Sequence, residues 1–231
     1  YFDWWSEPDD FGRFGTQQQM FETFKAFHDS VRDVERQTGA RLRIVAPSIS
    51  GFDGVDWRDD NDCFQPPKPK DKRTLRLTDF LDYVADNHLE LDAVSWHEMS
   101  SPDDVPAHVL SIRSYMQRIG LCAPNCPEVH INEYQGRELS LLPGNTAGWL
   151  YQLENAKVDW ASRACWLVDD VDGCNGGLNG LFMRDTWTPQ SHYWLLSAYG
   201  QMDGKLDLPV TLSDTHTPAV ASLDDEKKKI T

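Results

Sequence analysis

Leu91-Asp92-Ala93-Val94-Ser95-Trp96-His97, then a stretch with helical apolar spacing from about Ala107 to Ile119, then Glu128-Val129-His130-Ile131-Asn132-Glu133 form the pattern that decides the fold. Two apolar runs of strand length bracket a helix, which makes a strand-helix-strand unit. The alternation repeats in both directions. Toward the N-terminus, Leu42-Arg43-Ile44-Val45-Ala46-Pro47 reads as a strand, and Leu77, Phe80, Leu81 and Val84 mark the next helix, with Thr74 or Thr78 as its cap. Before these, a helix from about Thr16 to Thr38 presents Met20, Phe21, Phe24, Phe27, Val31 and Val34 as its buried stripe and stops at Gly39. The chain opens on an aromatic strand, Tyr1-Phe2-Asp3-Trp4-Trp5. Toward the C-terminus come a helix from about Thr146 to Trp160, a strand Ala164-Cys165-Trp166-Leu167-Val168 and a last helix from His192 to Tyr199.

Five strands, each followed by a helix, imply a parallel sheet covered by helices, either open and doubly wound or closed into a barrel. The strand ends favour the barrel. Glu7, His97 with Glu98, Glu133, and Asp169 with Asp170 all stand at strand C-terminal ends, where a (β/α)8 barrel gathers its reactive groups. No GxGxxG or GxxxxGK[ST] follows any strand, which removes the usual nucleotide-binding reason for an open sheet. The expected fold is α/β, a (β/α)8 TIM barrel of which this chain holds about strands four to eight over residues 1–202. From residue 203 the pattern changes to Leu-Pro-Val-Thr-Leu-Ser, the expected start of a β-rich appendage. An opening as aromatic as residues 1–5 is expected of an internal piece of a longer chain.

Composition narrows the function classes. The 231 residues carry 22 Lys+Arg against 37 Asp+Glu, a formal charge of −15 that repels a phosphate backbone, so nucleic acid is not an expected partner. No run approaches the roughly eighteen apolar residues of a membrane span. Hydrophobic residues make up 40%, enough to bury a core and to exclude global disorder.

Glu7 and Glu133 end strongly apolar strands. A retaining glycosidase needs two such carboxyl groups, one to protonate the leaving oxygen and one to attack the anomeric carbon, about 5 to 5.5 Å apart. Strand ends supply that precision because the sheet fixes their backbone. A strand-end Glu that merely faces solvent is the competing reading of either residue taken singly.

The surrounding residues add a resemblance. Trp4-Trp5-Ser6-Glu7-Pro8 resembles the strand-four motif of clan A glycoside hydrolases, in which Asn-Glu-Pro carries the acid/base. Ile131-Asn132-Glu133-Tyr134 resembles the strand-seven motif that carries the nucleophile. Ser95-Trp96-His97 looks like the Ser-x-His segment of glycoside hydrolase family 39 (GH39), the family of β-xylosidases and α-L-iduronidases. Trp166 falls where the clan has a strand-eight Trp flooring the sugar site. The resemblance implies a retaining O-glycoside hydrolase with Glu7 as acid/base and Glu133 as nucleophile, acting without a cofactor on an oligosaccharide or polysaccharide. Ser6 departs from it. The family's Asn there bonds the 2-hydroxyl of the sugar, and a serine has a shorter side chain with one hydroxyl. A sugar-binding barrel that has lost turnover is the alternative this departure keeps open.

By this reading Glu7 needs an apolar or carboxylate-rich setting to hold its proton, with Trp4, Trp5 and the nucleophile as its sources, while polar neighbours keep Glu133 ionised. His97 orients the nucleophile or binds a hydroxyl. Glu98 alternates with it and is a bystander. Trp5, Trp57, Phe64, Tyr134, Trp149, Trp166 and Trp187 are candidate sugar platforms, with Trp166 and Trp187 foremost. Trp160 and Trp194, on helices, are read as packing. Arg184 with Asp185 is read as a surface pair.

The acidic clusters Asp59-Asp60-Asn61-Asp62 and Asp169-Asp170-Val171-Asp172 lack the EF-hand pattern and are read as solvated loops, so no metal is expected. Residues 224–229 are read as a solvated turn. Cys122 with Cys126 is an expected local disulfide, and Cys165 with Cys174 a second. Cys63 is left to pair elsewhere. Disulfides favour a secreted enzyme. Nothing in the residues sets an oligomeric state.

Overall fold

The computed structural model describes residues 1–9, 16–52, 76–99, 101–135, 142–164, 180–183, 185–203, 206–211 and 219–230. These fold into two compact units. One contains residues 1–99, 104–134 and 158–162; the other contains 100–103, 135–157 and 163–231.

The first unit is built on a parallel sheet in chain order: β1 (Phe2–Asp3), β2 (Ile44–Ile49), β3 (Ala93–Glu98), β4 (Glu128–Tyr134) and β5 (Trp160–Arg163). Helices α1 (Gln17–Thr38), α2 (Leu77–Asp86) and α3 (Val105–Arg118) connect its first four strands. This is the succession of a partial (β/α)8 barrel.

Local chemistry sets the helix ends. Thr16 is the N-cap of α1, its hydroxyl accepting from the Gln19 N–H at 3.1 Å. Gly39 ends the helix in the left-handed region, φ 73°, and its N–H bonds the Glu35 carbonyl. The buried side of α1 is Met20, Phe21, Phe24, His28, Val31 and Arg32. Val34, expected in that stripe, is 46% exposed. Arg32 is buried although charged, because it reaches Glu35 at 2.7 Å and the Leu42 carbonyl at 2.9 Å. The cap of α2 also differs from expectation: Arg76 precedes the helix without a side-chain capping bond, and Thr78 is buried inside it. Thr74 lies outside the described residues.

One face of the sheet packs on the helices. Trp4 meets Phe24 edge to face, and Phe24 meets Phe80 in the same way at 4.8 Å. Phe24, Phe80, Ile44, Ile49 and Trp96 are fully buried, each contributing roughly 1.5–3 kcal/mol. Glu98 points to this same face, where Trp96 Nε1 donates to it at 3.0 Å and His108 of α3 lies 2.7 Å away.

The second unit holds α4 (Pro143–Asn155), α5 (Ser191–Gly200) and an antiparallel sheet of β6 (Leu206–Leu208), β7 (Ala221–Asp224) and β8 (Lys229–Ile230). The expected β-rich segment is present, and residues 225–228 form the turn between β7 and β8. Two sequence boundaries move. Helix α4 begins at Pro143, whose missing N–H costs nothing in a first turn. It ends before Lys157, which has φ 56°. Trp160, expected at a helix end, therefore opens β5 and is 61% exposed. Asp159 pins that start: its N–H donates to the Val129 carbonyl and its carboxylate accepts the Val129 N–H at 2.8 Å. Trp194, read as packing, is 62% exposed on α5. The Cys122–Cys126 disulfide is formed, whereas Cys63, Cys165 and Cys174 lie outside the described residues.

Candidate active site

Two interruptions of the ladder shape the site. Between β2 and β3, Pro47 pairs with Ser95 and Ile49 with Trp96, so Ser48 is one residue too many on β2. Pro47 has no N–H to give the ladder, which places the break at a position where the chain loses least. Ser48 sits at φ 58° and is 1% exposed. Between β3 and β4, Trp96 pairs with Ile131 and His97 with Glu133, so Asn132 is the extra residue. A bulge of this kind re-aims the side chains that follow it.

The consequence is a cluster on the face opposite the helices. Strand alternation alone would turn Asn132 and Glu133 to opposite faces. With the bulge, Asn132 Nδ2 donates to Ser48 Oγ at 2.9 Å and to the Asp3 carboxylate, while Glu133 Oε2 lies 3.7 Å from His97 Nδ1. Glu7 Oε1 approaches the same Nδ1 at 3.3 Å. The two carboxylate oxygens are therefore no farther apart than those distances laid end to end, about 7 Å. That bound contains the whole retaining range of about 5–5.5 Å and only the lower edge of the inverting range of about 6.5–9.5 Å. Glu7 is held by its N–H on the Ser48 carbonyl at 2.9 Å and has φ 52°.

The carboxyls differ in environment, and not in the way the sequence reading assigned. Glu7 is half exposed. Glu133 is the more enclosed, and burial raises its pKa above the ordinary glutamate value; the charge of Glu7 raises it further, while His97 pulls the other way. Asp3 is pushed up to about 6 by desolvation against the hydrogen bond from Asn132. Its side chain still touches water, but the protein around it withdraws much of its solvation. His97 is 1% exposed, and its Nδ1 and Glu133 Oε2 are both buried without a closed hydrogen bond.

The other candidate residues are distributed as follows. Trp5 and Ser6 are exposed beside Glu7 on the chain, and Trp5 is in ring contact with Trp4 at 6.2 Å. Tyr134, read as a sugar contact, pairs with Glu98 and shares its helix-side face, 4% exposed, because it follows Glu133 by one residue. Trp149 is 2% exposed within the second unit, which makes it packing. Trp187, in the same unit, is 60% exposed, has φ 53° and meets Phe182 at 6.2 Å. Trp166, Trp57, Phe64, Arg184, Asp169 and Asp170 lie outside the described residues. The sequence reading passed over Ser48, Asn132 and Asp3. A proline inside a strand run, followed by a small polar residue, was the available sign of the first.

A groove of about 1080 Å³ runs past the opposite, N-terminal strand ends, lined by Arg41, Arg43, Glu128 and the Cys122–Cys126 loop. Its charges are already engaged, Arg43 with Glu128 and Arg41 with Asp92. Among the described residues no group of three His, Cys, Asp or Glu side chains is arranged to hold a metal ion, and no helix is long and apolar enough to cross a membrane.

No family model and no curated protein matches the chain. Solved structures do. A protein from Neocallimastix frontalis, N2152, is 22% identical with a TM-score of 0.64, over 99% of this chain and 50% of its own. A glucosidase from Croceicoccus marinus is 20% identical, TM-score 0.64, over 94% of this chain and 44% of its own. A GH39 enzyme from Xanthomonas axonopodis pv. citri is 19% identical, TM-score 0.63, over 97% and 44%. The chain thus spans half or less of the length of the structures whose fold it shares.

Proposed function

We propose that this chain is the part of a retaining O-glycoside hydrolase barrel that carries both catalytic carboxyl groups, Glu7 as acid/base and Glu133 as nucleophile. The observation that carries the reading is the meeting of Glu7 Oε1 and Glu133 Oε2 at one imidazole nitrogen, at 3.3 and 3.7 Å. Residues 126 apart in sequence come within a bound of about 7 Å there, which admits the spacing that double displacement needs. The fold shared with a glucosidase and a GH39 enzyme supports the same class.

Glu133 attacks the anomeric carbon while Glu7 gives its proton to the leaving oxygen; Glu7 then deprotonates the water that releases the sugar. Burial draws a proton toward Glu133. A sugar seated over Glu7 strips water from it, which favours its neutral form, and cationic charge growing at the anomeric carbon favours the Glu133 anion. His97 serves both states as a donor between them.

The substrate class is a β-linked oligosaccharide or polysaccharide, with xylosides and glucosides the first to try. Trp5 and Ser6 lie exposed at the acid/base end of the site for contact with it, and Trp166 and Trp187 are proposed as further sugar contacts. Secretion is proposed on the strength of the Cys122–Cys126 disulfide. Proton NMR of aryl glycoside hydrolysis tests the reading. The first-formed sugar should keep the anomeric configuration of the substrate; an inverted product refutes double displacement, and no product on folded protein favours a binding barrel.

A further inference from the structure

We propose that Ser48, held by Asn132 and Asp3, is a positioning residue that fixes the tautomer of His97, so that the ring proton sits on Nδ1, the nitrogen beside both carboxylates. The catalytic meaning of this tether rests on the glycosidase reading; its geometry does not.

Ser48 touches Glu7, Ser95, His97 and Asn132. Its carbonyl accepts the Glu7 N–H at 2.9 Å, its own N–H donates to Ser95 Oγ at 3.0 Å, and its hydroxyl lies 3.4 Å from His97 Nε2. Asn132 Nδ2 directs its two hydrogens to the Asp3 carboxylate and to Ser48 Oγ. Toward Ser48 the amide is therefore a donor, and the Ser48 oxygen is an acceptor of that bond. The serine proton is left for its remaining neighbour, His97 Nε2. A neutral imidazole that accepts at Nε2 carries its proton on Nδ1.

Nδ1 is the atom that both Glu7 and Glu133 approach. The opposite tautomer would leave the Ser48 proton with no acceptor among the described residues, and would leave a bare nitrogen lone pair beside two carboxylates. The two bulged residues, Ser48 on β2 and Asn132 on β4, thus meet across β3 and set the ring between them. Asp3 completes the line by fixing which end of the Asn132 amide faces Ser48.

The full chain, labelled with 15N, tests this through long-range 1H–15N correlations, which distinguish a protonated ring nitrogen from a bare one. The His97 signal is the one lost in His97→Gln. The expected wild-type ring at neutral pH carries its proton on Nδ1 alone, and Ser48→Ala loses that single form. A wild-type ring protonated on Nε2 or on both nitrogens overturns the proposal, as does a Ser48→Ala ring identical to wild type. The wild-type spectrum decides even if the variant does not fold. On 4-nitrophenyl β-D-xyloside and β-D-glucoside, folded Ser48→Ala should lower kcat by about tenfold or more, short of the about 10⁴-fold that a wrong imidazole tautomer costs a Ser-His-Asp triad, with KM within about twofold; an unchanged kcat overturns the proposal. The spectrum needs no turnover. The expected ring without hydrolysis strikes the glycosidase reading and leaves the tether standing, and hydrolysis with the wrong ring does the reverse.

Discussion

His97 pairs with Glu133, and not with Asn132, because β4 carries one more residue than β3 between two successive register positions. That single insertion brings the carboxyl group of Glu133 to the imidazole that Glu7 also reaches. Remove it, and the alternation of the strand would hand the position to Asn132. The expected consequences of this arrangement are measurable one at a time.

The pH profile comes first. Glu133 is raised above the ordinary glutamate value of about 4.3, first by burial and then by the charge of Glu7. The acid limb of kcat/KM, which reports the free enzyme, should therefore lie above that value. Glu7→Gln removes one of the causes, so with an activated aryl glycoside that needs no acid catalysis the limb should move to lower pH. A limb that stays put would mean the two groups do not interact.

Glu7→Ala should separate substrates by leaving group. Loss of a general acid costs about 10² to 10⁴-fold. That loss should appear in full with an alkyl or sugar leaving group and largely vanish with dinitrophenolate. Equal losses on both kinds of substrate would take the acid role away from Glu7.

Ser6→Asn should change kcat more than KM, since the contact with a sugar 2-hydroxyl strengthens in the transition state. An unchanged kcat would remove Ser6 from the site.

Asp3 makes stability depend on pH. Its carboxyl is at about 6 in the folded protein against 3.8 for the free group, so across that window the folded state binds more protons than the unfolded one. Stability contributed by Asp3 is then present below about pH 4 and lost as pH rises toward about 6. Asp3→Asn should flatten the fall in Tm over this interval relative to wild type. Parallel Tm curves for the two proteins would contradict the raised value.

How far the fold could be read from residues alone varies by element. The ends of α1 were legible at Thr16 and Gly39 because capping is local, and four of its six expected apolar positions, Met20, Phe21, Phe24 and Val31, are buried. The burial of Arg32 was not legible, because an arginine can be buried where its partners, Glu35 and the Leu42 carbonyl, come to meet it, and partners are not local. Phe24→Ala should accordingly cost about 3–5 kcal/mol in denaturant unfolding, and Val34→Ala no more than about 0.5 kcal/mol.

The site divides in the same way. Glu7, His97 and Glu133 could be named as candidates because they stand at the ends of apolar strands within motifs that resemble a family's. Ser48, Asn132 and the burial of Tyr134 were not legible, since each follows from a register shift, and register is a property of two strands together. Nor could sequence say that Glu133 would be the more enclosed carboxyl and Glu7 the half-exposed one, because burial depends on the opposing strands.

Trapping with a 2-deoxy-2-fluoro glycoside that carries a good leaving group tests the central claim most directly. The fluorine slows both steps, and the leaving group lets the first outrun the second, so the glycosyl-enzyme accumulates. Digestion and mass spectrometry should find one sugar on the peptide containing Glu133 and none on Glu133→Gln. A label on Glu7 would reverse the two roles, and turnover of the parent glycoside without any label would contradict the nucleophile assigned to Glu133.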